Sequence, residues 1–239
     1  MMHRGGPLWR DASSFVASAH PRVLFMNDAP RYVPAAGIDA LTGVYDVGVR
    51  LTMREGRWRR LIVDEIAAAD PRVVLDVGCG TGTLTIATAE ELPSARVVGL
   101  DGDRTVLGIA GRKAGSERVD WVEGLADELP FADGEVDAVM TSLVFHHLPL
   151  GIKRAALAEM RRVLRAGGKL VVADWGRPQD PVMSVAFLAL QCLDGFANTG
   201  DNRRGLVPQL ITEGGFDGLR LLRRLRTVGG TFEVMVASR

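Results

Sequence analysis

The sequence predicts an α/β protein. The expected architecture is a doubly wound, mostly parallel sheet with a C-terminal antiparallel hairpin and an N-terminal helical extension. Three observations carry this. Between residues 73 and 173, short apolar runs alternate with stretches of helical length, the order of strand–helix–strand units joined by right-handed crossovers. A glycine-rich turn, Gly78-Cys79-Gly80-Thr81-Gly82, directly follows the first apolar run. Near the C-terminus, runs at 219–227 and 231–237 flank Gly229-Gly230, the pattern of a hairpin.

Taken in order, residues 1–34 carry Gly5, Gly6, Pro7, Pro21, Pro30 and Pro34 and read as an irregular arm, with a short helix around 13–19. Further on, Leu61, Ile62 and Ile66 recur at helical spacing, and Asp70-Pro71 stops that helix. Residues 73–77 form a short apolar run and are expected as a buried strand. Beyond the glycine turn, 84–92 reads as a helix closed by Pro93, 95–100 as a strand and 104–114 as a helix. Strands follow at 119–122 and 136–141. The strongly amphipathic 152–164 is a helix closed by Gly167-Gly168, before a fifth strand at 170–173. After Asp174 the pattern changes: 182–193 is apolar and helical, and 207–213 is a short helix ended by Gly214-Gly215. The expected domains are an arm at 1–34 and one domain at 35–239, with 178–216 as a helical cap insertion.

Composition narrows the function. The 239 residues hold 29 basic and 29 acidic groups, and a neutral chain gives no general support for nucleic-acid binding. The balance is uneven: 73–150 carry five basic and thirteen acidic groups, net −8, whereas 151–239 carry fourteen and eight, net +6. Two cysteines, Cys79 and Cys192, rule out a disulfide framework, and with four histidines they leave no metal-ligand set to expect. No apolar run reaches the roughly 18 residues of a membrane span, and the N-terminus has no apolar signal core, so a cytoplasmic protein is expected.

Open sheets of this class bind ligands beyond the carboxyl ends of their strands, so the residues just after each strand are the candidates. In the glycine turn the third glycine, Gly82, falls one position too early for a dinucleotide fingerprint, which would need it at Thr83. A phosphate loop would require Gly-Lys-Ser/Thr, which is missing. The turn therefore suits neither phosphate cradle.

Four stretches together point to a family. They are the run from Val74 through Asp76 to Gly82; Val97-Val98-Gly99-Leu100-Asp101; Leu129-Pro130-Phe131 ahead of Asp137-Ala138-Val139; and Arg161-Arg162-Val163-Leu164-Arg165-Ala166-Gly167-Gly168-Lys169-Leu170. This set resembles class I S-adenosylmethionine (SAM) methyltransferases, whose fold is Rossmann-like. Within them it is similar to the small-molecule branch that includes ubiquinone/menaquinone-biosynthesis C-methyltransferases. The resemblance covers about residues 40–239. It implies S-adenosyl-L-methionine as cofactor and methyl transfer to a small-molecule acceptor by in-line displacement.

The resemblance also implies roles. Gly78, Cys79, Gly80 and Gly82 would line the methionine and ribose of the cofactor, with Cys79 as a small filler. Asp76 would meet its ammonium or else brace the loop, and Thr81 would brace the loop or touch the cofactor carboxylate. Asp101 would accept the ribose hydroxyls, and Gly102 would leave room beside the adenine, with Asp103 as a helix cap. Where the family often carries Asp-Ala, this chain has Leu125-Ala126, so adenine recognition rests on the Ala126 backbone and on Leu125 packing. Ser142 would lie beside the cofactor, and Tyr45 over its entrance or packed in a helix.

His147 and then His146, at the end of the fourth strand, are the candidate general bases, the other reading being a structural cap. The apolar helix at 182–193 is either core or a lid over a lipophilic acceptor. The basic last third suits an anionic acceptor, or else its Arg223, Arg224 and Arg226 guard an exposed strand. The arm at 1–34 is a candidate homodimer contact. The alternatives to a methyltransferase are a SAM-binding pseudoenzyme or partner-binding protein, another SAM-using transferase, and an NAD-dependent enzyme.

Overall fold

The computed structural model describes residues 9–11 and 55–239. Its centre is a mixed sheet in which β2 (Val73–Val77), β3 (Arg96–Asp101), β4 (Val119–Glu123), β5 (Val136–Ser142) and β6 (Leu164–Trp175) run parallel. The hairpin β7 (Asp217–Thr227) and β8 (Gly230–Ser238) adds two antiparallel strands beside β6. A three-residue strand, β1 (Trp9–Asp11), pairs in parallel with β4 at the opposite edge. The order is β1-β4-β3-β2-β5-β6-β8-β7, a Rossmann-like doubly wound arrangement with its switch point between β2 and β5.

Helices cover both faces: α1 (Glu55–Ala67), α2 (Thr83–Glu91) and α3 (Arg104–Ala110) on one, α4 (Leu150–Val163) on the other. Between β6 and β7 come α5 (Pro181–Asp194), α6 (Phe196–Arg204) and α7 (Val207–Glu213). The period-2 alternation of side chains divides each strand between two cores. Val74 joins Trp58, Ile62 and Ile66 of α1, whereas Leu75 and Val77 join Leu157 and Met160 of α4. On β8, Phe232, Val234 and Val236 face the first core and Met235 and Ala237 the second. Burial on both faces explains why these strands read as near-continuous apolar runs. Each fully buried large side chain, Phe232 among them, contributes roughly 1.5–3 kcal/mol of transfer free energy.

The structure departs from the sequence expectations in four places. α3 stops at Ala110, four residues early, with Gly111 as its C-cap. The strand expected at 170–173 runs from Leu164 to Trp175, straight through Gly167-Gly168. There the register with β5 shifts between Val136 and Ala138, and the C-terminal residue supplies partners, Gly167 N to Arg239 O and Arg239 N to Gly168 O. The two glycines thus make a bulge rather than a stop. α6 lies inside the helical insertion expected at 178–216, where no separate helix was assigned to it. The arm contributes β1, while the helix expected around 13–19, the segment 36–54 and Tyr45 lie outside the described residues.

β7 ends the strand order of the sheet, and its Arg220, Arg223, Arg224 and Arg226 are all exposed along it. Arg224 pairs with Glu233 at 2.7 Å, Arg226 with Asp180, and Arg220 with Glu65 at 3.6 Å. Charged side chains on an edge strand block sheet extension, which accounts for much of the basic character of this third.

Candidate active site

Register brings the candidate residues to one edge. Val77 lies opposite Leu100 of β3, Asp101 opposite Glu123 of β4, and Asp76 opposite Met140 of β5, so the turns after all four strands open at the same end. The glycine turn begins where the N–H groups of Gly78 and Cys79 both reach Leu100 O, at 2.8 and 3.0 Å. It ends at Gly82, the N-cap of α2. Gly78 and Gly82 have φ of +73° and +75°, and a Cβ would lie 2.3 Å from Val144 Cγ2 in the first and 2.3 Å from Trp121 Cη2 in the second. Both conformation and close approach therefore demand glycine there. At Gly80 a Cβ would meet nothing within 4 Å, so this residue faces open space.

Asp101 ties the turn to β3. One carboxylate oxygen accepts Gly80 N–H at 2.8 Å and the other Asp103 N–H at 2.9 Å. Burial raises its carboxyl above the usual range, against the pull of those donors. A carboxylate has about four acceptor positions, so both oxygens retain capacity for a ligand's hydroxyls. Asp103 caps α3 by accepting Thr105 N–H at 2.7 Å, as expected from its position.

Asp76 is 1% exposed. Its Oδ2 accepts Thr85 Oγ1 at 2.6 Å, and its Oδ1 is buried without a hydrogen-bond partner. Burial pushes its pKa up to about 7, with Asp101 adding to the rise. From outside, Lys113 Nζ donates to Thr81 Oγ1 at 2.9 Å and to Thr83 Oγ1 at 2.8 Å, so the Thr81 side chain braces the loop. The Cys79 thiol packs with the core beneath the turn, and burial, Asp101 and Asp76 keep it protonated well above its usual pKa.

A cleft of about 360 Å³ is lined by Gly102, Arg104, Glu123, Gly124 and Leu125. Leu125 is an apolar wall where a second aspartate was the family expectation, and Ala126 packs toward the α4 core. Ser142 closes β5 opposite Ala173. The next residue, Leu143, has φ of +58°, a left-handed conformation that costs a non-glycine residue roughly 1–2 kcal/mol. Its N–H is held by Ala173 O at 2.9 Å. Strain of this kind is retained where the surrounding structure over-determines it, often at functional turns.

That strained turn leads into a short 3₁₀ turn, Phe145–His147. His146 Nδ1 lies 2.8 Å from Asp174 Oδ1, and both residues are 1% exposed. Asp174 also accepts Phe145 N–H at 2.7 Å and Trp175 N–H at 2.7 Å. Burial pushes its carboxyl upward, but His146 and these N–H groups outweigh it, so Asp174 is ionised. An ionised Asp174 requires the Nδ1 proton on His146. The His147 ring lies 3.9 Å from the His146 ring, and burial followed by His146 lowers its pKa to about 3, making it neutral at pH 7.

Sequence reasoning named His146 as a candidate but not its pairing with Asp174, and within the expected helical insertion it did not resolve α6, which holds this turn. Asn198 Nδ2 donates to His147 O at 2.8 Å, and Asn202 Nδ2 to Trp175 O at 2.9 Å. The available signal was Asn198, Asp201 and Asn202 at i, i+3 and i+4, which puts three polar groups on one helix face. The apolar α5 turns Phe187 and Leu190 into the first core, buries Met183 and leaves Val182, Val185 and Leu188 exposed. Among the described residues there is no metal-ligand cluster and no helix long and apolar enough to cross a membrane.

With this geometry in place, residues 74–168 match the family described as methyltransferase domain. Over that stretch the chain is similar to a methyltransferase domain. Among curated proteins it is similar to a demethylmenaquinone methyltransferase of Thermus thermophilus, 38% identical over 65% of this chain and 66% of that one. It is also similar to a demethylmenaquinone methyltransferase of Deinococcus radiodurans, 35% identical over 69% of this chain and 64% of the relative. The aligned part thus spans a little under two thirds of those relatives. Among solved structures, human N-acetylserotonin methyltransferase in complex with SAM superposes with a TM-score of 0.61 at 16% identity, over 76% of this chain and 51% of that one, a likeness of fold. The glycine turn, Asp101 and the β4 cleft follow β2, β3 and β4, and the His turn follows β5, beside Asp174 near the end of β6.

Proposed function

We propose that the protein is an enzyme transferring a methyl group from SAM to a small-molecule acceptor of the quinol or phenol kind, the acceptor class suggested by the demethylmenaquinone methyltransferase relatives. The observation that carries this is Asp76. A buried carboxylate oxygen without an internal partner, next to a glycine turn with open space at Gly80, calls for a donor from outside the chain. The cationic ammonium of SAM is such a donor. The acidic middle third, net −8, suits a cofactor of positive charge.

In this reading Asp76 holds the ammonium, directly or through water, and the glycine turn leaves space for the methionine and ribose. Asp101 takes the ribose hydroxyls on its remaining acceptor positions, while Leu125 and Gly102 flank the adenine in the β4 cleft. Bound SAM supplies an electrophilic methyl on a sulfonium. The protein's own part is to align the acceptor in line with that methyl and to exclude water. His147, a neutral imidazole, accepts a hydrogen bond from the acceptor hydroxyl and orients it. Its low basicity suits an acceptor acidic enough to lose its proton readily. The His146–Asp174 pair fixes the ring against which His147 lies. The enzyme is read as cytoplasmic, and the free Cys79 and Cys192 support a reducing compartment.

Isothermal titration with SAM and with NADH tests the cofactor, and methyl transfer to a short-chain demethylnaphthoquinol and a panel of phenols tests the acceptor. Binding of NADH without SAM would sink the proposal.

A further inference from the structure

The helix α6 has the sequence FANTGDNRR, polar from Asn198 on save for Gly200, yet Thr199, Asp201 and Asn202 are buried, at 0%, 4% and 0% exposure. Polar side chains sealed in this way must find partners. Those partners connect two parts of the molecule. On one side stands Lys153 of α4, itself completely buried. Its ammonium donates to Asn198 O at 2.7 Å and pairs with Asp201 Oδ2 at 3.1 Å, while Arg204 binds the other Asp201 oxygen at 2.6 Å. On the other side stands the His turn. Asn198 Nδ2 holds His147 O, and Asn202 Nδ2 bridges Asp174 Oδ1 at 3.3 Å and Trp175 O at 2.9 Å. Lys153 therefore clamps the same residue, Asn198, whose side chain fixes the backbone of His147.

A buried lysine is an expensive way to secure a helix, because an apolar residue of similar volume packs as well or better. Burial lowers the Lys153 pKa while Asp201 raises it, and the ion pair exists only while α6 sits against α4. Such a pair specifies one geometry where apolar packing would tolerate several.

We propose that Lys153, Asn198 and Asn202 are positioning residues: the Lys153-anchored α6 holds the His146–His147 turn and Asp174 in the one arrangement that presents His147 to the methyl acceptor. This deepens the methyltransferase reading and rests on it for the word acceptor, but the positioning itself is measurable without one.

The test uses the full chain loaded with S-adenosylhomocysteine and three variants. Asn198→Asp keeps the shape of Asn198 but removes its donor. Asn202→Leu removes the bridge to Asp174. Lys153→Met combined with Asp201→Leu replaces the buried pair by apolar side chains, leaving Arg204 in solvent. Long-range ¹H–¹⁵N spectra of the imidazoles report tautomer and hydrogen bonding for both histidines. The expected result is displaced His146 and His147 ring signals in all three variants, with S-adenosylhomocysteine affinity within about twofold of the parent. Turnover on the short-chain demethylnaphthoquinol should fall at least tenfold in kcat with little change in the KM for SAM. A merely structural pair would give a double variant as stable as the parent with unshifted imidazole signals and parental kcat, and that result would overturn the proposal. If the double variant does not fold, Asn198→Asp decides on the same criteria. If the parent does not methylate the naphthoquinol, the acceptor class fails, and the imidazole signals still decide whether α6 positions the His turn.

Discussion

His146 Nδ1 and Asp174 Oδ1 stand 2.8 Å apart in a region closed to solvent, 28 residues apart in the chain. The contact joins the turn after β5 to the last residues of β6, and Val144 at the start of that turn packs against Gly78 of the glycine turn. Removing His146 leaves Asp174 charged, buried and short of its imidazole hydrogen-bond partner, which costs about 3 kcal/mol. His146→Ala is expected to lower the melting temperature by roughly 6–12 °C on the scaling for a domain of this size. His147→Ala should keep the stability and the SAM affinity and lose turnover. Calorimetric melting of both variants, with turnover for the second, checks this; full activity of His147→Ala would make that residue a packing group only.

Asp101→Ala should weaken SAM binding by roughly 2–4 kcal/mol, about 30- to 1,000-fold, through two lost charge-assisted hydrogen bonds to the ribose. The structure adds a second route to the same loss, because Asp101 also holds the N–H of Gly80. Asp101→Asn keeps part of the acceptor capacity and should fall between parent and alanine. Isothermal titration measures all three; parental affinity in Asp101→Ala would remove this residue from the site.

Asp76 makes stability depend on pH in a defined direction. The unfolded carboxyl ionises near 3.8, whereas the folded one holds its proton up to about 7. Between those values the folded state binds more protons, so stability falls as pH rises through the window and is level above it. At 1.36 kcal/mol per pH unit the total is roughly 4 kcal/mol. Asp76→Asn, which can still accept from Thr85, should flatten that slope in chemical denaturation at pH 4.5 and pH 8. The same variant should bind SAM at least tenfold more weakly. An unchanged slope would mean that Asp76 is ionised throughout.

The glycine turn separates folding from binding. Gly82→Ala drives a methyl into Trp121 and Ala110 at positive φ, so it should cost about 2 kcal/mol or more of stability. Gly80→Ala meets no atom of the protein and should cost only the roughly 1–2 kcal/mol of its left-handed backbone. Its methyl occupies the ligand side, so SAM affinity should drop more than stability does. Thermal melting beside titration distinguishes the two; parental SAM affinity in Gly80→Ala would show that the open space at Gly80 is not where the cofactor lies.

What the sequence by itself determined is what local pattern encodes. The strand β2, the glycine turn and Asp101 are legible because short-range rules govern them: apolar runs make buried strands, and a turn at the switch point needs glycine within five consecutive residues. The tertiary structure alone decided the rest. β1 is three residues whose strand character comes from β4, more than 100 positions away. Gly167-Gly168 reads as a stop, yet the strand continues because the C-terminal Arg239 returns to satisfy its backbone. α6 looks like a surface loop because its residues are polar, and it is buried because Lys153, the His turn and Trp175 offer partners for those polar groups. A polar side chain can be buried where its hydrogen bonds are met inside, but its partner is set by the fold. Local pattern therefore forecasts the sheet, the glycine turn and the two candidate histidines, and only the assembled chain shows what holds those histidines in place.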